Sequence, residues 1–359
     1  MYYALIAFCS TLLFLGALCQ VAQRYGLVDR PSPRKTHLGH IPVVGGLAIG
    51  SAFLVSGFLQ GSPSIPFVAA CIIILATGLF DDLQEFTARG KFVGQLAAAV
   101  IMTSLGNLFL INLGNLWGNG DVMLGNWAIP FTMFCVVGLM NAMNMIDGLD
   151  GLAGGIGLIA ATWFCLAAVL HGPFGDAQLL YVFIAAIAAF LIFNMRHPWR
   201  RHAAVFLGDA GSMFLGFVLV WFAVDISQSG PSDFYPISAV WILGVPIIDT
   251  VYILLRRPTL GLSPFAADRR HVHHTLIYMG LSETRTSWCL LGVSVVFGGI
   301  GFFGWLYGVP EYVLTYAFIG LFAVHCGFMR YWREILKFFG ITHKQLDVGP
   351  IADAKALGE

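Results

Sequence analysis

Residues 128–151 read AIPFTMFCVVGLMNAMNMIDGLDG, and residues 152–170 continue LAGGIGLIAATWFCLAAVL. The first run carries no charged group from Ala128 to Ile146, then breaks into Asp147-Gly148-Leu149-Asp150-Gly151. A helix rises 1.5 Å per residue, so a run of this length covers about 28 Å, close to the hydrocarbon thickness of a bilayer. The second run is equally long and begins directly after the glycine-rich break. Two membrane-length apolar segments joined by a short acidic turn predict a helical hairpin in lipid.

The same pattern extends in both directions. Apolar stretches fall at 3–23, 43–60, 66–80, 92–110, 128–146, 152–170, 178–195, 211–226, 237–255, 287–307 and 310–329. The 359 residues are 58% hydrophobic and 11% charged, with a mean hydropathy of +0.80. A water-exposed surface needs more charge than that. The expected fold is therefore all-α, a polytopic integral membrane protein of eleven transmembrane helices. Residues 1–329 form one membrane domain with no internal repeat. Residues 330–359 are a tail whose bases and aromatics at helical spacing suit the membrane interface. The first run lacks a positive leader and a cleavage signal, and reads as a retained span.

Charge orients the map. All 19 Lys and Arg residues fall on alternate connections if the spans alternate as drawn. The intervening loops, such as 61–65, 171–177 and 227–236, hold none and carry Asp121, Asp176, Asp225, Asp233 and Glu311 instead. The positive-inside rule then predicts an outer amino terminus and a cytoplasmic carboxy terminus. Net charge is zero, which argues neither for nor against a nucleic-acid partner, and none is expected. The seven cysteines lie within apolar runs and read as buried small hydrophobes, not as disulfides or a zinc site.

Polar chemistry is concentrated at the basic ends of these spans. Span three runs into Asp81-Asp82; adjacent carboxylates there are costly unless a cation neutralises them, although a solvated helix end is the plainer alternative. Asn141, Asn144 and Asp147 recur at i, i+3 and i+6 on one helix face, ahead of Asp150 and two glycines. Gly208-Asp209-Ala210-Gly211-Ser212 opens span eight, where Asp209 is either a metal-holding carboxylate or a simple helix cap. Asp268-Arg269-Arg270-His271-Val272-His273-His274 packs two arginines and three histidines into six residues. Arginine pairs with phosphate oxygens and repels a divalent ion, which favours phosphate over metal for this loop. Asp249 lies inside span nine and reads equally as a functional group or as a partner for an inner arginine. Carboxylates and amides suit a hard cation, and Arg with His suits a diphosphate. Together they indicate Mg²⁺-dependent phosphate chemistry at the membrane surface. A transporter of anionic solutes would instead place its polar groups near the midplane of repeated halves.

These motifs, in this order, resemble the polyprenyl-phosphate N-acetylhexosamine-1-phosphate transferases. The resemblance rests on Asp29-Arg30-Pro31 and Arg34-Lys35-Thr36-His37 leading to Pro42 and Gly45-Gly46. It continues through Asp81-Asp82, Asn141 to Gly151, Gly208 to Ser212, and the histidine loop. The form Arg270-His271-Val272-His273-His274 is similar to the WecA-like subgroup, which starts O-antigen, enterobacterial common antigen or teichoic-acid linkage synthesis. The resemblance implies UDP-N-acetylglucosamine as donor and undecaprenyl phosphate as acceptor, with other UDP-N-acetylhexosamines used by related subgroups. It further implies Mg²⁺, with Mn²⁺ as the substitute ion, and a bacterial inner-membrane enzyme facing the cytoplasm. A homodimer is compatible with the sequence and not specified by it.

By the same resemblance, Asp209, Asp147, Asp81 and Asp82 are metal-site and catalytic residues, with Asp150 beside them. Asn141 and Asn144 shape the nucleotide-sugar pocket. Lys35, Arg269, Arg270, His271, His273 and His274 bind substrate. Two mechanisms remain open at this level. The acceptor phosphate attacks the donor directly, or an aspartate (Asp147, Asp150 or Asp82) first takes up the phosphosugar.

Overall fold

The computed structural model of the chain describes residues 2–29, 39–61, 63–84, 86–171, 174–197, 200, 202–228, 234–259, 261 and 271–338. Thirteen helices occupy most of these residues: α1 (Tyr2–Tyr25), α2 (Gly45–Gln60), α3 (Ile65–Gln84), α4 (Ala88–Val100), α5 (Ala128–Ile146), α6 (Leu152–His171), α7 (Phe174–Asn194), α8 (Gly208–Gln228), α9 (Pro236–Ile242), α10 (Gly244–Thr259), α11 (Val272–Tyr278), α12 (Glu283–Leu306) and α13 (Glu311–Phe338). Among the described residues, eight helices are long and apolar enough to cross a membrane, or nine if the bent pair α9–α10 is one span. The chain is a polytopic, predominantly helical membrane protein. α2 is apolar but has only 16 residues. α4 reaches farther because a π-helical turn, Ile101–Leu105, continues it.

Every apolar stretch read from the sequence is helical, and four details differ. The stretch 237–255 is not one helix: α9 and α10 meet at 85°. Pro246 has no N–H to donate to the Ile242 carbonyl, so the ladder is interrupted at Leu243 and resumes with the Ile247 amide on the Leu243 carbonyl at 3.2 Å. The stretch 92–110 is shifted: Thr87 caps the Gly90 amide at 3.2 Å so helix begins at Ala88, and it ends with the π-helical turn at Leu105, leaving 106–110 outside the helix. A two-stranded antiparallel ladder, β1 (Val28–Asp29) with β2 (Ile41–Pro42), departs from the all-α expectation. Finally, Cys9 and Cys289 lie exposed on helix surfaces where burial was expected; all seven thiols are free. The last helix runs unbroken to Phe338, so residues 330–338 extend α13 and the remaining tail lies outside the described residues.

α8 is the axis of the bundle. Nearly all of its residues from Ala210 to Val224 are buried, and α2, α3, α5, α6 and α9 surround it. A helix apolar on every side belongs in the middle. Small residues let its neighbours approach: a Cβ on Gly46 of α2 would run into the Gly211 backbone, and one on Gly78 of α3 into the backbone of Ala210. Farther along, Phe53, Phe67, Phe183, Phe214, Phe217 and Trp221 form a buried aromatic column, with ring centroids such as Phe67–Trp221 at 4.7 Å and Phe53–Phe183 at 5.3 Å.

The two ends of the bundle differ. At one, the C-termini of α3 and α5 meet the N-termini of α4 and α8. At the other, a strap formed by residues 106–127 is pinned down. The Gln228 side chain at the end of α8 accepts the Ile111 and Asn112 amides at 2.9 and 3.2 Å, and Glu311 at the start of α13 accepts the Asn115 amide. Asn112 also donates to Asp121 at 2.7 Å.

Candidate active site

The start of α8 is set by backbone contacts from two directions. Phe206 N–H donates to Pro42 O, and the Gly45 and Gly46 amides donate to Phe206 O and Leu207 O, all at 2.9 Å. Gly208 then turns with φ +76°, a left-handed conformation that favours glycine. A Cβ there would also lie 2.7 Å from an Asp82 oxygen. Asp82 spends both oxygens on the helix, accepting Asp209 N–H at 2.9 Å and Ala210 N–H at 3.1 Å. It is an N-cap supplied by another helix, and charge-assisted caps of this kind are strong. The acidic pair is thereby divided. Asp82 locks α3 to α8, while Asp81 faces the neighbouring cation.

That cation is Lys91 of α4. Its ammonium lies 2.5 Å from Asp81 and pairs also with Asp209. Asn144 completes the arrangement by donating to Asp209 at 2.6 Å and to Ser212 at 3.0 Å. One turn deeper, Asn141 donates to Gln95 of α4 at 2.8 Å, and the buried Gln95 reaches Met213 sulfur at 3.2 Å. Four helices, α3, α4, α5 and α8, are thus joined by a polar seam running from the core to the surface. Lys91 and Gln95 are i, i+4 on one face of α4 and are the functional residues the sequence reading missed. Their signal was that spacing, opposite Asn141 and Asn144.

Asp147 ends α5 and opens the loop to α6. Gly151 takes φ +78° and donates its amide to the buried Asn194 at 2.8 Å, while Asn194 donates to Val205 O at 2.9 Å. Asp150 is turned aside: it accepts from Arg196 at 2.6 Å and from the Ala203 amide at 3.1 Å, and Arg196 also meets Glu283 at 2.6 Å. This network draws α12 against the loop. Burial acts to lower the Arg196 guanidinium, but its pairing with Asp150 and then Glu283 outweighs this and holds it above its usual range.

The histidines arrive from α11. His273 is buried, and a Cβ on Gly148 would sit 2.5 Å from its Nε2; the ring therefore packs directly on the loop beside Asp147. It stacks on His271 at 5.6 Å and lies 4.2 Å from His274 between centroids. Burial, then the neighbouring imidazoles, push His273 well below the usual histidine range. Lys35, Arg269 and Arg270 lie outside the described residues. Of the other sequence-predicted groups, Asp81, Asp82, Asn144 and Asp209 converge directly. Asn141 lies one turn away, and Asp147 and His273 border the cluster.

Asp81, Asp82, Asp147 and Asp209 carry more negative charge than Lys91 balances. Asp147 registers the excess: burial, then the charges of Asp209, Asp82 and Asp150, hold its carboxyl well above the usual carboxylate range. Among the described residues no three carboxylate or imidazole groups enclose an ion on their own. Asp209 and Asp147 are the carboxylates with the chemistry to hold an ion such as Mg²⁺, which takes one or two carboxylates and completes its shell with water and phosphate.

Comparison with known proteins agrees with this arrangement. A family model described as glycosyl transferase family 4 matches residues 64–227. The undecaprenyl-phosphate alpha-N-acetylglucosaminyl 1-phosphate transferase of Escherichia coli (strain K12) is 32% identical over 322 residues, covering 89% of this chain and 88% of that protein. The protein of the same name from Haemophilus influenzae is 32% identical over 89% of this chain and 91% of its own. The one from Yersinia pestis is 31% identical over 91% and 90%. A carboxylate-rich site at one end of a helical membrane bundle, matched over this share of the sequence, makes the chain a member of glycosyl transferase family 4, a membrane transferase of phosphate-containing sugar groups.

Proposed function

We propose that this protein transfers N-acetylglucosamine 1-phosphate from UDP-N-acetylglucosamine to undecaprenyl phosphate, releasing UMP, and so starts assembly of a cell-envelope polysaccharide. The observation that carries the reading is the shared Lys91 between Asp81 and Asp209, with Asn144 on Asp209, at the end of the bundle where the histidine segment also arrives. Its setting is the cytoplasmic face of the bacterial inner membrane, with eleven crossings and an outer amino terminus. Two features support that orientation. Arg24, Arg89, Lys91, Arg256 and Arg257 belong to helix ends on the site's side, and Asp121 and Glu311 lie at the strap.

The second pKa of a phosphate monoester is about 6, so the acceptor is largely dianionic at pH 7 and needs little help from a base. An acceptor oxygen bonds to the sugar-side phosphorus while the bond from that phosphorus to the bridging oxygen breaks, and the electron pair leaves on UMP. The task of the site is to bring two anions together in line. Mg²⁺, or Mn²⁺ in its place, held by Asp209 and Asp147, would neutralise diphosphate charge. Lys91 and Asn144 fix the Asp209 carboxylate, and His271 and His274 border the donor. For the rival route through an aspartyl intermediate, Asp82 has both oxygens on backbone amides and Asp150 is clasped by Arg196 and Ala203, which leaves Asp147 as the one candidate nucleophile of the three.

The test is incubation of the purified protein with labelled UDP-N-acetylhexosamines, undecaprenyl phosphate and Mg²⁺. Label from the N-acetylglucosamine donor moves into butanol as UMP appears. Preference for another sugar corrects the donor, and no transfer from any of them rejects the proposal. Lys91→Met is expected to slow transfer on the order of 100-fold. It also lowers the Mg²⁺ concentration for half-maximal rate, since two carboxylates lose their internal counter-ion. A higher Mg²⁺ requirement would contradict that role.

A further inference from the structure

Asp249 is buried in α10 at 1% exposure, a costly position for a carboxylate without partners. Its Oδ2 lies 2.7 Å from His271 Nδ1, and its Oδ1 accepts the Val272 amide at 2.8 Å. Both oxygens are therefore directed at the segment that opens α11. The carboxylate fixes that segment in two ways, through the backbone of the first helical residue and through the ring of the residue before it.

We infer that Asp249 is the positioning residue for His271. The carboxylate accepts from Nδ1, so the proton on that nitrogen is held there and Nε2 is left to meet the donor substrate. The stacking of His271 on His273, with planes 5° apart, and the seat of His273 on Gly148 carry this orientation to the loop beside Asp147. Asp249 touches no substrate itself. It acts through the ring, holding the imidazole in one tautomer and one orientation, as a buried carboxylate does for a histidine in other active sites. The bend between α9 and α10 brings α10, and with it Asp249, to α11. The inference about substrate rests on the transferase reading above; the geometry of the pair does not.

Asp249→Asn separates the two. The carboxamide keeps the size of the side chain, and its oxygen can still accept the Val272 amide. Its NH₂ then faces Nδ1, which forces the His271 proton to Nε2. In ¹⁵N-histidine NMR of the protein in nanodiscs, the His271 signal (identified by its loss in His271→Gln) is expected to change from Nδ1–H to Nε2–H. This readout needs no turnover. In the transfer assay, Asp249→Asn is expected to lower kcat/KM for the donor on the order of 10- to 100-fold. Combined with His271→Gln, it should add no further loss. An unchanged tautomer overturns the positioning role. So does full activity, or a double variant whose losses multiply. If the parent protein itself releases no UMP, the transferase reading fails, and the tautomer measurement still decides the pairing.

Discussion

With Asp209→Asn, the chain inserts and elutes as the parent does, while transfer falls on the order of a thousandfold. The expectation follows from what the carboxylate does and does not support. Its backbone amide, and not its side chain, is what Asp82 grips. The start of α8 therefore survives the substitution. What is lost is the charge shared with Lys91 and the acceptor for Asn144 at 2.6 Å. Removing one preorganised charge or donor from a phosphate- or oxyanion-binding site typically costs two to three orders of magnitude, about 3–4 kcal/mol in the barrier. Turnover of purified Asp209→Asn at saturating Mg²⁺, alongside its size-exclusion profile, checks this. Near-parental turnover would remove Asp209 from the catalytic set.

Gly78→Ala should do the reverse and damage the fold before the chemistry. The added methyl meets the backbone of α8, which cannot swing away as a side chain would. Overpacking in a tight core costs about 1–3 kcal/mol when side chains can adjust. Here α3 and α8 must separate, and the Asp82 cap is stretched with them. The expected outcome is a marked drop in the melting temperature of detergent-solubilised protein and a low yield. Gly138→Ala, at a position with open space, is the matched control and should be silent. A Gly78→Ala protein as stable as that control would mean that the close approach is not required.

The two substitutions also mark what could be read in advance. Helix positions were legible because apolar length is a strong signal in lipid, and every apolar stretch became helical. The break at Leu243 was written in Pro246 but masked by the apolar residues around it. A two-residue ladder such as Val28–Asp29 with Ile41–Pro42 is too short to leave a pattern. At the site, Asp81, Asn144, Asp147 and Asp209 were legible because carboxylates and amides at the ends of apolar helices are costly without a task. The division of labour was not. That Asp82 holds backbone, that Asp150 belongs to Arg196, and that Asp249 serves His271 are facts of pairing across the chain, set by helix packing. Lys91 was counted only as one more inward positive charge; its role appears when α4 is laid beside α8.

The aromatic column along α8, capped by the strap at residues 106–127, has a consequence for traffic. The rings of Phe53, Phe67, Phe214, Phe217 and Trp221 fill the middle of the bundle above the carboxylates. These packed rings leave the described middle of the bundle dry and apolar, so under the proposed transfer reaction the polar end, where Asp81, Asp209 and Lys91 meet, is the side on which reactants enter and product leaves.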